Sequence, residues 1–404
     1  MLYLAYQTQA DLMLPLRAFA RARLETLRPW ASHRSFAPLG NLTALYELIS
    51  RSGLTHVRPD FGIRSVRVGN CDVAVTEEAI DVTPFGTLLH FAKDIEIAQP
   101  RVLVVAPLSG HFATLLRSLV AKMLPEHDIC ITDWHNARDV SVAQGRFGFE
   151  DYVRHVIGWV EKMGPGVHVV AVCQPCVQVL TAAAVMAEAN SPAQPRSLTL
   201  MAGPIDVRIN PTRVNELATS RSIEWFQHNL IAVVPPRYGG GGRSVYPGFV
   251  QLMAFMSMNL DRHKRAHARM FEQFARGEVD KAKATQAFYD EYFAVLDLTA
   301  EFYLETVQWV FQEARLARGA LTYDSRRVNP AAISRSALLT IEGERDEICA
   351  LGQTAAAHDL CMRLRPFMKR HHMQAGVGHY GVFSGKRWEE HVYPIVRNMI
   401  LANE

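Results

Sequence analysis

Among the six cysteines of this 404-residue chain, one lies in a run whose local pattern suits a nucleophile. In Val167-His-Val-Val-Ala-Val-Cys173-Gln-Pro-Cys176-Val177, an apolar strand runs into Cys173, and a helix then opens with Pro175 in its first turn, where a missing N–H costs nothing. A thiolate held at such a turn can attack an acyl carbon. Because Gln174 rather than a proline follows, the next backbone N–H stays available to an oxyanion. Two other readings fit the same residues: Cys173 as a small core side chain at a strand end, and Cys173 with Cys176 as a Cys-x-x-Cys thiol–disulfide centre. Residues further along separate them. A thiol nucleophile needs a base and an acid that orients it. Glu342-Gly-Glu-Arg-Asp346 follows the apolar run 338–341, which puts Asp346 in the loop just past a strand, with Glu344 as its rival. Gly376-Val-Gly-His379-Tyr-Gly381 sets His379 in a glycine-bracketed loop, a context for a base rather than a core residue.

The strand–Cys173–helix turn resembles the nucleophile elbow of α/β-hydrolases, with Ala171 and Pro175 where glycines are usual. Such folds take a second oxyanion N–H from the loop after an early strand, here Ala106-Pro-Leu-Ser-Gly-His111. Ser109 is the choice, with Leu108 and Gly110 as close alternatives. His111 suits loop structure or substrate contact better than the role of base. The spacing of Cys349, Cys361, His371 and His372 matches no zinc module, so no metal or cofactor is expected.

These residues need a frame that brings their loops together. Strand patterns at 66–76, 102–106, 128–132, 167–172 and 197–202 alternate with helical patterns at 113–123, 149–162 and 177–189. That alternation predicts a mostly parallel sheet with helices on both faces, whose ligands gather at the carboxyl ends of the strands. After Pro211 it stops, and it resumes near 325 with a strand at 337–341, a helix at 352–364, a strand at 369–377 and a closing helix at 387–402. The expected organisation is an N-terminal helical segment (1–54), a core built from 55–210 and 325–404, and an inserted helical cap (211–324). Four glycines, Gly239 to Gly242, would form a mobile hinge into the cap.

Composition narrows the class. A net charge of +3 from 43 basic and 40 acidic residues gives no field for a nucleic-acid partner. Scattered cysteines suggest free thiols in a reducing compartment. The first twenty residues do not read as a secretion signal, and no apolar run reaches the ~18 residues that a spanning helix needs, so a cytoplasmic location without a membrane span is expected.

With these residues placed, the sequence resembles the intracellular poly(3-hydroxybutyrate) (PHB) depolymerase family, relatives of cysteine-dependent polyester synthases. The likeness covers nearly the whole chain. It is carried by Met1-Leu-Tyr-Leu-Ala-Tyr-Gln-Thr-Gln, Ala106-Pro-Leu-Ser-Gly-His111, Asp133-Trp134, Asp151-Tyr152, Val172-Cys-Gln-Pro175, Met201-Ala-Gly-Pro-Ile-Asp206, Val245-Tyr-Pro-Gly-Phe249 and Gly378-His-Tyr-Gly381. The resemblance implies an α/β-hydrolase fold and the roles of nucleophile for Cys173, orienting acid for Asp346 and base for His379. One departure is Glu347 beside Asp346, where relatives are expected to carry a second aspartate. It also implies ester cleavage in PHB at an amorphous granule surface, through a thioester acyl-enzyme, with release of 3-hydroxybutyrate oligomers or monomer. His111, Phe249 and Tyr380 are candidates for substrate contact. An apolar cap surface that includes Phe249, Met253, Phe255 and Tyr292 would meet the granule or form a homodimer seam. The competing functions are a polyester synthase using the same thiolate, a thiol–disulfide oxidoreductase using Cys176, and a non-catalytic granule-coat protein.

Overall fold

The structure is a computed structural model that describes residues 2–31, 37–258 and 260–404. Nine strands form the main sheet: β1 (Ser65–Val68), β2 (Cys71–Val82), β3 (Gly86–Lys93), β4 (Arg101–Val105), β5 (Asp128–Trp134), β6 (His168–Val172), β7 (Ser197–Met201), β8 (Ala337–Gly343) and β9 (Lys369–Gln374). Their order is β1-β2-β3-β5-β4-β6-β7-β8-β9, antiparallel from β1 to β5 and parallel from β5 to β9. This strand order, with a tight strand-to-helix turn after β6, is that of the α/β-hydrolase fold.

The middle strands β6, β7 and β8 are buried along their whole length, which is why they read as continuous Val/Leu/Ile runs rather than as alternating ones. Helices Phe149–Met163 and Cys176–Glu188 cover one face, where Trp134 and Trp159 pack with ring centroids 5.2 Å apart. Helices Arg117–Met123 and Tyr393–Leu401 cover the other. Register does the functional work. Val172 pairs with Met201 and Met201 with Ile341, so β6 and β7 end level, β8 runs two residues further, and their following loops share one edge.

Between β7 and β8 the chain leaves the sheet. The insert holds helices Arg213–Thr219, Ile223–Leu230, Gly248–Met258, Leu260–Ala275 and Val279–Tyr292. It also contains a three-stranded antiparallel sheet (Ala232–Val233, Ser244–Tyr246, Leu298–Thr299), which the helical expectation missed because its strands are only two or three residues long. The glycine run is not a free hinge. A side chain on Gly239 or Gly240 would lie 2.6 Å from the Asp139 or Arg138 carbonyl, and the Gly240 N–H donates to Arg138 O, so the glycines serve close backbone approach.

Helices Leu2–Ala31 and Ala37–Arg51 pack on each other, and the second packs on Leu260–Ala275. A buried polar joint fixes the first. Tyr3 donates to Asp297 Oδ2 (2.7 Å), whose Oδ1 accepts the Gly248 N–H (2.9 Å), and the Tyr6 hydroxyl meets His56 Nε2 at 3.0 Å.

Two further differences have local causes. The expected strand 66–76 is a hairpin, because Gly69 at φ +59° turns β1 into β2. The expected helix 352–364 shrinks to Ala357–Leu360. The buried Glu342 carboxylate draws in the N–H groups of Gly352, Thr354 and Ala355 at 2.7–3.0 Å, and the chain wraps around it instead of coiling.

Candidate active site

Cys173 stands at the end of β6 with φ +67°, a left-handed conformation that costs a non-glycine residue free energy and that persists here because both sides are pinned. Its N–H donates to Met201 O at 2.7 Å, and the helix Cys176–Glu188 follows at once. The strain lifts the thiol out of the sheet, leaving it partly exposed, while Cys176 is wholly buried. The Cys176 sulfur lies 3.5 Å from Ala171 O and 3.7 Å from Met201 O. Burial, with a contribution from Cys173, pushes the Cys176 thiol far above its usual pKa, the wrong direction for a resolving thiol.

Asp346 and His379 meet from the loops after β8 and β9. His379 Nδ1 lies 2.8 Å from Asp346 Oδ2, and both side chains are almost fully removed from solvent. The other oxygen, Asp346 Oδ1, accepts the N–H groups of Ile348 and Cys349, each at 2.8 Å, so the carboxylate cannot rotate. Burial works against an imidazolium at His379. The charges of Asp346 and Cys173, with the hydrogen bond to Asp346, outweigh it and hold the ring well above the usual histidine pKa. The acid and base positions named from sequence are thus paired, and Cys173 stands at the end of the neighbouring strand β6. The rival acids do other work: Glu344 accepts the Gly376 N–H, and Glu347 Oε2 lies 3.5 Å from the His379 backbone N.

The 106–111 loop faces the elbow. Ala106 O is held by the Tyr152 hydroxyl (2.8 Å) and by Trp134 Nε1 (3.0 Å), two side chains to which residue-by-residue reasoning gave no role. The Leu108 N–H donates to Gln174 Oε1 at 3.2 Å and so is spoken for; Ser109 remains beside it in the loop. Gly110 O accepts the Leu296 N–H, and His111 is buried against the insert, stacked on Tyr292 and Phe255 with Nε2 3.2 Å from Tyr292 O. Burial lowers its pKa to about 4, so it is a neutral docking residue for the insert.

A cavity of about 320 Å³ lies between the insert and the His379 loop, lined by Phe255, His263, Phe288, Tyr292, Ile348 and Tyr380 among others. Cys173 and His379 are not in its wall; Tyr380, whose ring centroid is 5.9 Å from that of His379, connects the two. Burial first, then Tyr292 and Cys173, keep the Tyr380 phenol protonated. Phe249 does not join this group. It is buried in the joint with the first helix, stacked on Tyr6 at 4.0 Å and edge-on to Tyr3, so its contacts are structural. The cap surface expected to meet polymer is likewise mostly core: Phe249 and Tyr292 are buried, Phe255 is half-buried, and Met253 is the exposed exception among those named. Exposed apolar side chains concentrate instead on the first helices, including Leu4, Leu12 (73% exposed), Leu16, Phe19 and Leu45.

Among the described residues no group of three or more His, Cys, Asp or Glu side chains could hold a metal ion, and no helix is long and apolar enough to cross a membrane.

The family model described as PHB de-polymerase C-terminus matches residues 202–404, just over half of the chain. The matched stretch includes Asp346 and His379 and begins after Cys173. No curated protein matches the chain. Among solved structures the chain is similar to DcsB in complex with its substrate analogue (13% identity over 82% of this chain and 100% of that one, TM-score 0.45). It is also similar to a 2-hydroxy-6-oxo-6-phenylhexa-2,4-dienoate hydrolase from Rhodococcus sp. strain RHA1 (12%, 82% and 99%, TM-score 0.42) and to a Bacillus megaterium epoxide hydrolase (13%, 84% and 98%, TM-score 0.42). At these scores the similarities carry no argument about function.

Proposed function

Because this chain belongs to the PHB de-polymerase family and is an esterase-type hydrolase of the α/β-hydrolase fold, we propose that it cleaves backbone esters of poly(3-hydroxybutyrate) with Cys173 as nucleophile. His379 takes the thiol proton, and the sulfur adds to the ester carbonyl carbon. The N–H groups of Gln174 and Ser109 receive the oxyanion. Collapse breaks the C–O bond, and His379 returns the proton to the departing hydroxyl end of the polymer, leaving a thioester on Cys173. Water then attacks the thioester while His379 takes its proton, and collapse returns that proton to the sulfur and frees a 3-hydroxybutyrate oligomer or monomer. Asp346 holds the ring so that Nε2 faces sulfur and stabilises the imidazolium.

The observation that supports this most is the buried 2.8 Å Asp346–His379 pair in the loops beside a cysteine held at positive φ. The aromatic cavity beside Tyr380 suits an apolar polyester segment with carbonyl acceptors. The first helices carry a group of apolar side chains open to an insoluble surface, and contact there would place the enzyme on amorphous granules in the cytoplasm. A thiol–disulfide function is disfavoured by the buried, high-pKa Cys176.

The test is incubation of purified protein with amorphous PHB granules, followed by identification of soluble products with and without coenzyme A and by sedimentation of the bound protein. Coenzyme-A-independent release of 3-hydroxybutyrate species, abolished by Cys173→Ala, is expected. Retention of near-normal cleavage by that variant would discard the mechanism.

A further inference from the structure

Gln174 contributes more to the elbow than a backbone N–H. The residue is buried (8% exposed), and its side chain crosses to the facing loop, where Oε1 accepts the Leu108 N–H at 3.2 Å. That loop is anchored at one end through Ala106 to Thr132, Trp134 and Tyr152, and at the other through Gly110 to Leu296. Pro107 has no N–H. Among the hydrogen bonds of the described residues, the Gln174 amide is the tie between the middle of the loop and the elbow. The other end of the amide, Nε2, is buried with no hydrogen-bond partner among the described residues.

That idle donor is informative. A buried unsatisfied amide is costly, and a leucine or methionine would fill the same space without stranding one. A packing role does not explain glutamine here; the bond from Oε1 does. We propose that the Gln174 side chain is a positioning residue for the oxyanion hole. By holding Leu108 it sets the distance between the two donors assigned above, its own N–H and that of Ser109, and it diverts the Leu108 N–H away from substrate. This rests on the thiol mechanism proposed above.

Gln174→Met separates positioning from packing, because it keeps the backbone N–H and the side-chain bulk and removes only the acceptor. Acylation by a soluble ester builds an oxyanion, whereas alkylation of Cys173 by iodoacetamide displaces iodide without one. The expected result is a kcat for ester hydrolysis lower by about 10- to 100-fold, with KM and the alkylation rate each within about threefold of the parent. Hydrogen exchange in the 106–111 peptide should rise while the remainder is unchanged. Unaltered turnover, unaltered exchange in that peptide, or a parallel fall in hydrolysis and alkylation would each overturn the assignment. Gln174→Leu provides the same readouts if the methionine variant does not fold. Failure of the underlying mechanism shows separately, as hydrolysis that survives Cys173→Ala.

Discussion

Asp346→Asn is the perturbation whose outcome the structure constrains most tightly. Two backbone donors, from Ile348 and Cys349, converge on Asp346 Oδ1 at 2.8 Å. An asparagine that turned its NH2 toward them would face donor with donor, so its carbonyl oxygen must stay there and its amide nitrogen must take the place of Oδ2 beside His379 Nδ1. Nδ1 then becomes an acceptor and the ring proton moves to Nε2, the nitrogen that should receive the thiol proton. The carboxylate charge that raises the His379 pKa is lost at the same time. An equivalent tautomer trap costs on the order of 10³- to 10⁴-fold in kcat, or about 4 to 5.5 kcal/mol of transition-state stabilisation. Stability should barely follow, because every buried donor keeps a partner; roughly 1 kcal/mol is expected. Steady-state hydrolysis of a soluble 3-hydroxybutyrate oligomer, with thermal unfolding in parallel, reads both quantities. Glu347→Gln belongs beside it and should remain within about threefold of the parent, since the carboxylate at the ring is Asp346. A kcat for Asp346→Asn within tenfold of the parent, or a larger loss from Glu347→Gln, would refute the assignment of the acid.

Cys176→Ser places a hydroxyl within reach of the Ala171 and Met201 carbonyls. Ester hydrolysis should stay within about threefold, and a hundredfold loss would bring the paired-thiol function back. At the joint beneath the first helix, burial raises the Asp297 carboxyl to about 6, against the bonds from Gly248 and Tyr3. An acid with a raised folded pKa costs stability once it must ionise. The unfolded chain ionises first, so this contribution to stability is lost as pH rises from about 4 to 6, amounting to about 3 kcal/mol at most for a shift of roughly two units. Urea unfolding at pH 4 and pH 7 should therefore show a steeper decline for the parent than for Asp297→Asn, and equal slopes would show that the buried carboxyl is not carrying the penalty.

How far the sequence reached can be argued from single residues. The pairing of Asp346 with His379 could be anticipated because each lies in the loop just beyond a strand, Asp346 after an apolar run and His379 in a glycine-bracketed turn, and in a parallel sheet such loops gather at one edge. The apolar runs of β4 and β6 were legible because burial on both faces removes any alternation that would confuse them. Distance along the chain hid the remainder. Nothing local to Glu342 shows that its carboxylate collects three N–H groups from residues ten to thirteen positions later. Phe249 looked like cap surface because nothing local reveals that Tyr3 and Tyr6, some 240 residues earlier, cover it.

Local pattern determined the fold class and the types of group that follow each strand, because backbone periodicity and turn chemistry act over a few residues. Tertiary packing alone decided which carboxylate reaches the His379 ring, that Gln174 spans to Leu108, and that a group of apolar side chains stays exposed on the first helices. Those outcomes depend on atoms from distant segments competing for the same buried hydrogen bonds and the same apolar contacts, a competition settled only once the chain has closed on itself.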